Sequence, residues 1–110
     1  MNPYIKKILA VAAGEVGVRE VGNNGGKRVL EYQSADNLAG GYYPWCASFI
    51  AWIIQTALGK QFAADVWLNS ASCDMILDWA RRLGIISTKP AVGACGLVMA
   101  SKNDATHIFI

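Results

Sequence analysis

Two side chains in this sequence can carry out nucleophilic chemistry together, Cys46 and His107. Cys46 lies in the run Tyr43-Pro44-Trp45-Cys46-Ala47-Ser48-Phe49-Ile50-Ala51-Trp52, and His107, the sole histidine, sits far downstream in a strand-like run. A thiolate at the start of a helix is stabilised by backbone N–H groups that have no intrahelical acceptor. The same groups can hold an oxyanion. An imidazole supplied by a distant strand takes the thiol proton and later returns it to the leaving group. Those are the working parts of a cysteine hydrolase. Each residue also has a plainer reading. Free cysteine is among the most buried residue types, and that description suits Cys73 and Cys95. A lone histidine among Thr106, Ile108 and Phe109 is commonly a core or edge residue. If Ile108 and Ile110 face one side of their strand, His107 and Phe109 share the other.

The elements that must position these groups follow from pattern. Asn2 and Pro3 open a first helix as cap and first helical residue, and Ile5, Ile8, Leu9, Ala12 and Val16 form its apolar stripe. Gly22 to Gly26 is a loop by composition, and a short helix with Val29, Leu30 and Tyr32 inward follows. Residues 36–43 form a second loop. A central helix starts at Pro44, runs to about Leu58 and is apolar almost all round, so it is expected to be buried. Residues 61–69 are expected to be irregular or partly helical. Ser72 caps a helix carrying Met75, Ile76, Trp79, Ala80 and Leu83, with Asp74 in its first turn, Arg81 and Arg82 in its last, and Gly84 after it. Trp52 and Trp79 are expected in the core. Gly96 to Ala100 and Thr106 to Ile110 read as two strands joined by a turn at Ser101 to Asp104. Helices followed by a hairpin make an α+β chain.

Composition narrows the function classes. The chain has 110 residues, enough for one domain, with 54% hydrophobic and only 16% charged residues. A net charge of +2 gives no argument for nucleic acid. The apolar run after Lys6-Lys7 is too short for a signal peptide, and no segment approaches the roughly 20 apolar residues of a membrane span. The expectation is a protein made in the cytoplasm without its own export signal and not inserted in a membrane. Three widely spaced cysteines with no CxxC pair and one histidine argue against a disulfide framework and against zinc. No D-x-D-x-D spacing suggests calcium. No metal or other cofactor is expected.

Three segments together resemble a known family: Val16-Gly17-Val18-Arg19-Glu20-Val21-Gly22-Asn23-Asn24, then Val29-Leu30-Glu31-Tyr32, then Tyr43 to Trp52 with its P-W-C-A-x-F core. They are similar to the CHAP family, the cysteine, histidine-dependent amidohydrolases/peptidases of the papain-like class. The likeness is strongest to the phage and prophage, endolysin-type members. Pro90 to Ile110 resembles the family's second motif, a Pro-x-x-Gly lead-in followed by an apolar strand, a turn and a strand that opens with histidine. The resemblance covers nearly the whole chain, so residues 1–110 are expected to form a single CHAP-like domain. It implies a papain-like fold with the nucleophile on the central helix, packed against an antiparallel sheet. It implies Cys46 as nucleophile and His107 as base. Gln33 and Tyr32 become candidates for an oxyanion-side donor upstream of the nucleophile, and Tyr43 and Trp45 for the walls of a substrate groove.

The implied activity is cleavage of amide bonds in bacterial peptidoglycan after release by lysis or a secretion system. A non-catalytic papain-like remnant serving as an interaction module, and a cysteine peptidase effector acting on protein, are the alternatives. The chain departs from the family pattern at Ala94, where aspartate is common, and at Thr106, where glycine precedes the histidine. No Asn, Asp or Glu follows His107 to orient its ring, so the expectation is a domain lacking its later strands. An unpaired edge on the last strand would then invite pairing with a second copy.

Overall fold

The computed structural model describes residues 2–36 and 44–110. Tyr43 and the rest of the expected loop at 37–43 lie outside the described residues. Along the chain come α1 (Pro3–Gly14), α2 (Lys27–Ser34), α3 (Cys46–Leu58), α4 (Lys60–Val66), α5 (Cys73–Leu83), β1 (Gly96–Ser101) and β2 (Asp104–Phe109). The architecture is α+β, and the two strands form one antiparallel hairpin.

The centre of the molecule is α3. Its sequence leaves no polar face, and Ala47, Ser48, Ile50, Ala51, Ile53 and Ile54 are all buried. Helices α1, α2 and α4 and strand β2 pack around it. Burying a single isoleucine contributes about 1.5–3 kcal/mol, so this one helix supplies much of the folding drive. It starts two residues later than the sequence suggests. Pro44 lies outside it, Trp45 is the cap, and Cys46 is the first helical residue.

The outer helices obey local chemistry. Asn2 caps α1 by accepting from the Tyr4 N–H at 2.8 Å. Ile8, Val11 and Ala12 rest against the core. The expected stripe does not reach Val16, which is 86% exposed. The helix ends at Gly14, and Gly17, at φ 98°, helps the chain turn away. The segment expected to be irregular or partly helical is partly helical, most of it before Trp67 belonging to the short helix α4.

In α5, Ser72 accepts from the Met75 N–H at 3.2 Å. Cys73, Ile76, Leu77 and Ala80 face inward at helical spacing. Met75, about 100° round the helix from Ile76, and Leu83, at the final helical position, are exposed instead of packed. Gly84 closes the helix in the left-handed conformation at φ 70°. The Ile85 N–H there bonds back to the Ala80 carbonyl and the Gly84 N–H to that of Arg81. Gly84→Ala should destabilise the protein by about 1 kcal/mol through the left-handed backbone alone, read as a lower urea midpoint with an unchanged slope.

Strand register explains which side chains of the hairpin face the core. Gly96 pairs with Phe109, Leu97 with Ile108 and Val98 with His107, after which Met99 pairs with Ala105. Thr106 is therefore an extra residue, a bulge that resets the alternation. Ala105 and Ile108, three residues apart, are both buried as a result. Helix α5 is tied to the hairpin at two points. Asp74 Oδ1 accepts from the Ala105 N–H at 2.6 Å. The Arg81 guanidinium donates to Asn103 Oδ1 at 2.9 Å and to the Lys102 carbonyl at 2.6 Å.

Candidate functional site

The start of α3 is built by the segments before it. Trp45 has no side-chain cap to offer, and the first intrahelical bond runs from the Phe49 N–H to its carbonyl at 2.8 Å. The N–H groups of Cys46, Ala47 and Ser48 therefore have no intrahelical acceptor. The Trp45 indole N–H donates to Glu20 Oε1 at 3.3 Å, and Glu20 Oε2 accepts from the Asn24 N–H at 2.8 Å. Those two bonds, the Asn24 one first, hold the Glu20 carboxyl below its usual range. The Gly17-Val18-Arg19-Glu20 entry thus buckles the glycine-rich loop against the residue before the cysteine.

Beneath it lies an aromatic and ionic cluster. Tyr32 is fully buried, stacked on Trp45 at 5.6 Å between ring centroids and edge-on to Phe49 and Trp52 at 4.8 and 5.1 Å. Its hydroxyl donates to Glu15 Oε1 at 2.7 Å. Arg28 grips the same carboxylate with Nε at 2.5 Å and Nη2 at 2.9 Å, pairs with Glu31, and lies over the Trp52 ring at 4.9 Å. The guanidinium bonds lower the Glu15 carboxyl below its ordinary value near 4.5, with Tyr32 adding to the shift and burial opposing it. A depressed carboxyl contributes stability that is complete above the unfolded value and is lost as pH falls through the native one. Between about pH 5 and pH 3, the wild-type melting temperature should therefore fall more steeply than that of Glu15→Gln. Calorimetry across that range checks it, and parallel slopes would contradict the assignment.

The sulfur chemistry centres on a pair. Cys46 Sγ lies 3.7 Å from Cys73 Sγ, and each cysteine is the first residue of its helix, α3 and α5. Cys46 is half-buried and Cys73 buried. Burial, and then the charge of a Cys46 thiolate, push the Cys73 thiol up to about 12. Burial alone pushes Cys95 up to about 11. Both are protonated near neutrality. Cys95 makes no sulfur contact among the described residues.

The remaining candidates are placed as follows. His107 lies on the exposed face of β2, opposite Ile108, with its ring stacked on Phe109 at 6.4 Å. Among the described residues its imidazole makes no hydrogen bond, so it is not bonded to Cys46. Strand β2 nonetheless packs on α3, and Cys46 and Ile108 belong to the same apolar cluster. Gln33 is fully buried, with Nε2 donating to the Asn24 carbonyl at 3.4 Å. Trp45 is half-buried. Tyr32, expected as an oxyanion-side donor, spends its hydroxyl on Glu15. Among the described residues no group of three or more His, Cys, Asp or Glu side chains could hold a metal, and no helix is long and apolar enough to cross a membrane.

Sequence reasoning missed two partners, Cys73 beside Cys46 and Glu15 beside Arg28. A helix-cap signal at Ser72 marks where Cys73 falls, but nothing in the spacing pairs it with Cys46. No protein-family model, curated protein or solved structure matches the chain.

Proposed function

We propose that this protein is a CHAP-type cysteine hydrolase of papain-like architecture that cleaves amide bonds in bacterial peptidoglycan. The observation that carries the reading is Cys46 as the first residue of the buried central helix, inside the P-W-C-A-x-F run. The thiolate attacks the amide carbonyl, and the Cys46 N–H with a neighbouring first-turn N–H holds the oxyanion. His107 accepts the thiol proton and delivers it to the leaving amine, and water then releases the acyl-enzyme. This needs the imidazole on the α3 side of β2, a turn of the strand at the Thr106 bulge. Trp45 lines the approach for substrate.

A second reading is favoured by one observation. The imidazole stacked on Phe109 and unbonded to Cys46 suits a non-catalytic remnant that binds without cutting.

Thiol labelling separates the two. Limiting iodoacetamide near neutral pH should modify Cys46 before Cys73 and Cys95, because burial holds the other two protonated. Clearing of purified peptidoglycan should fall in proportion to Cys46 modification, followed by peptide mass mapping. Labelling that starts at Cys73 or Cys95 would sink the assignment. A preparation that never releases new amines from peptidoglycan would favour the remnant.

A further inference from the structure

We propose that Cys46 and Cys73 form a reversible disulfide on exposure to peroxide, so that the second thiol acts as a resolving partner for the first. The two sulfurs are in contact at 3.7 Å although the residues are 27 positions apart. Each sits at the first position of a helix, and the two helices both pack on β2, which fixes their starts side by side. An S–S bond of roughly 2.05 Å needs the two sulfurs to close the remaining gap. The exposures divide the roles. Half-buried Cys46 meets the oxidant, while Cys73, 8% exposed, is shielded from it. Cys95 has no sulfur neighbour among the described residues and takes no part.

The chemistry balances with hydrogen peroxide as the oxidant. The Cys46 thiolate attacks one peroxide oxygen, the O–O bond breaks, and hydroxide leaves to become water. Cys46 is then a sulfenic acid. The Cys73 sulfur attacks that sulfur, the S–O bond breaks, and the departing hydroxide takes the Cys73 proton as water. Two electrons pass from the two thiols to the peroxide, and one S–S bond remains. A Cys46 sulfur held in that bond cannot attack a carbonyl. The inhibitory consequence rests on Cys46 being the nucleophile; the bond itself does not.

Peptide mapping under non-reducing conditions tests the bond. Reduced wild-type protein is treated with a modest excess of hydrogen peroxide, alkylated and digested. The expected result is a linked Cys46–Cys73 peptide that accounts for most of the lost free thiol, with Cys95 still alkylated and the link removed by dithiothreitol. Cys95→Ser should give the same link. In Cys73→Ser the sulfenic acid at Cys46 should persist and take up dimedone severalfold more than in wild type. Sulfinic or sulfonic acid at Cys46 beside an alkylated Cys73 would overturn the proposal. Equal dimedone uptake in wild type and Cys73→Ser would overturn it too, as would links that run to Cys95 or between molecules. Peptidoglycan clearing before oxidation, after it, and after dithiothreitol distinguishes the two claims. A link that forms in a protein whose linked and reduced forms clear equally, or not at all, leaves the thiol pair standing and removes Cys46 as nucleophile. Clearing by the reduced form with no link on oxidation does the reverse.

Discussion

On the proposed function, Cys46→Ser should lower peptidoglycan hydrolysis by about a thousandfold or more, while the folded structure survives. The magnitude follows from replacing the proposed nucleophile, whose thiolate would form the covalent bond, with a hydroxyl that is hardly ionised near neutrality. Removing the nucleophile from a dyad or triad leaves only what binding and the oxyanion donors supply. The fold is expected to persist for local reasons. Serine occupies slightly less volume, keeps the backbone N–H at the first helical position, and removes the sulfur contact with Cys73. The checks are release of new amines from purified peptidoglycan and, on the same sample, far-ultraviolet circular dichroism and a melting curve. Wild-type release by a folded Cys46→Ser protein would remove Cys46 from the chemistry.

Tyr32→Ala should be among the most damaging single changes to stability, at about 3–5 kcal/mol. Its ring is fully buried between Trp45, Phe49 and Trp52, so truncation opens a cavity under the start of α3. Its hydroxyl is one of the bonds that hold Glu15. The melting temperature should fall by on the order of 15 °C or more. Tyr32→Phe separates the two contributions. It keeps the ring and removes one hydrogen bond to a carboxylate that Arg28 still grips, at about 1–2 kcal/mol. Calorimetry of both variants checks the order; equal losses would mean that the hydroxyl, not the ring, carries the effect.

Much of the framework was legible because its causes are local. Asn2 and Ser72 cap the helices they precede, Gly84 closes α5, and the run 46–54, apolar except for Ser48, reads as a buried helix. What was not legible depends on distance in the fold. The bulge at Thr106 arises from pairing between strands, and no residue type there announces it. The Cys46–Cys73 contact needs α3 and α5 to start side by side. The Glu15–Arg28 pair spans a glycine-rich loop whose path the sequence leaves open. Tyr32 and Gln33, the oxyanion-side candidates, are both buried, with the Tyr32 hydroxyl on Glu15 and Gln33 Nε2 on the Asn24 carbonyl. Their burial follows from the face of α2 that meets α3, which carries Val29, Tyr32 and Gln33.

The Arg81 clasp on the hairpin turn has a consequence for sequence drift. Short exposed turns ordinarily tolerate replacement and insertion. Here one turn residue serves through its backbone and the other through its side chain. Lys102 is held by its carbonyl, so any residue that keeps the turn can stand there. Asn103 gives its own Oδ1, so only a side chain with a similarly placed oxygen can replace it. An insertion between them would lengthen the turn and pull both acceptors away from a guanidinium fixed on α5. The tip of the hairpin, exposed though it is, is thereby a poor place for a tag, and its second residue should vary less than its first.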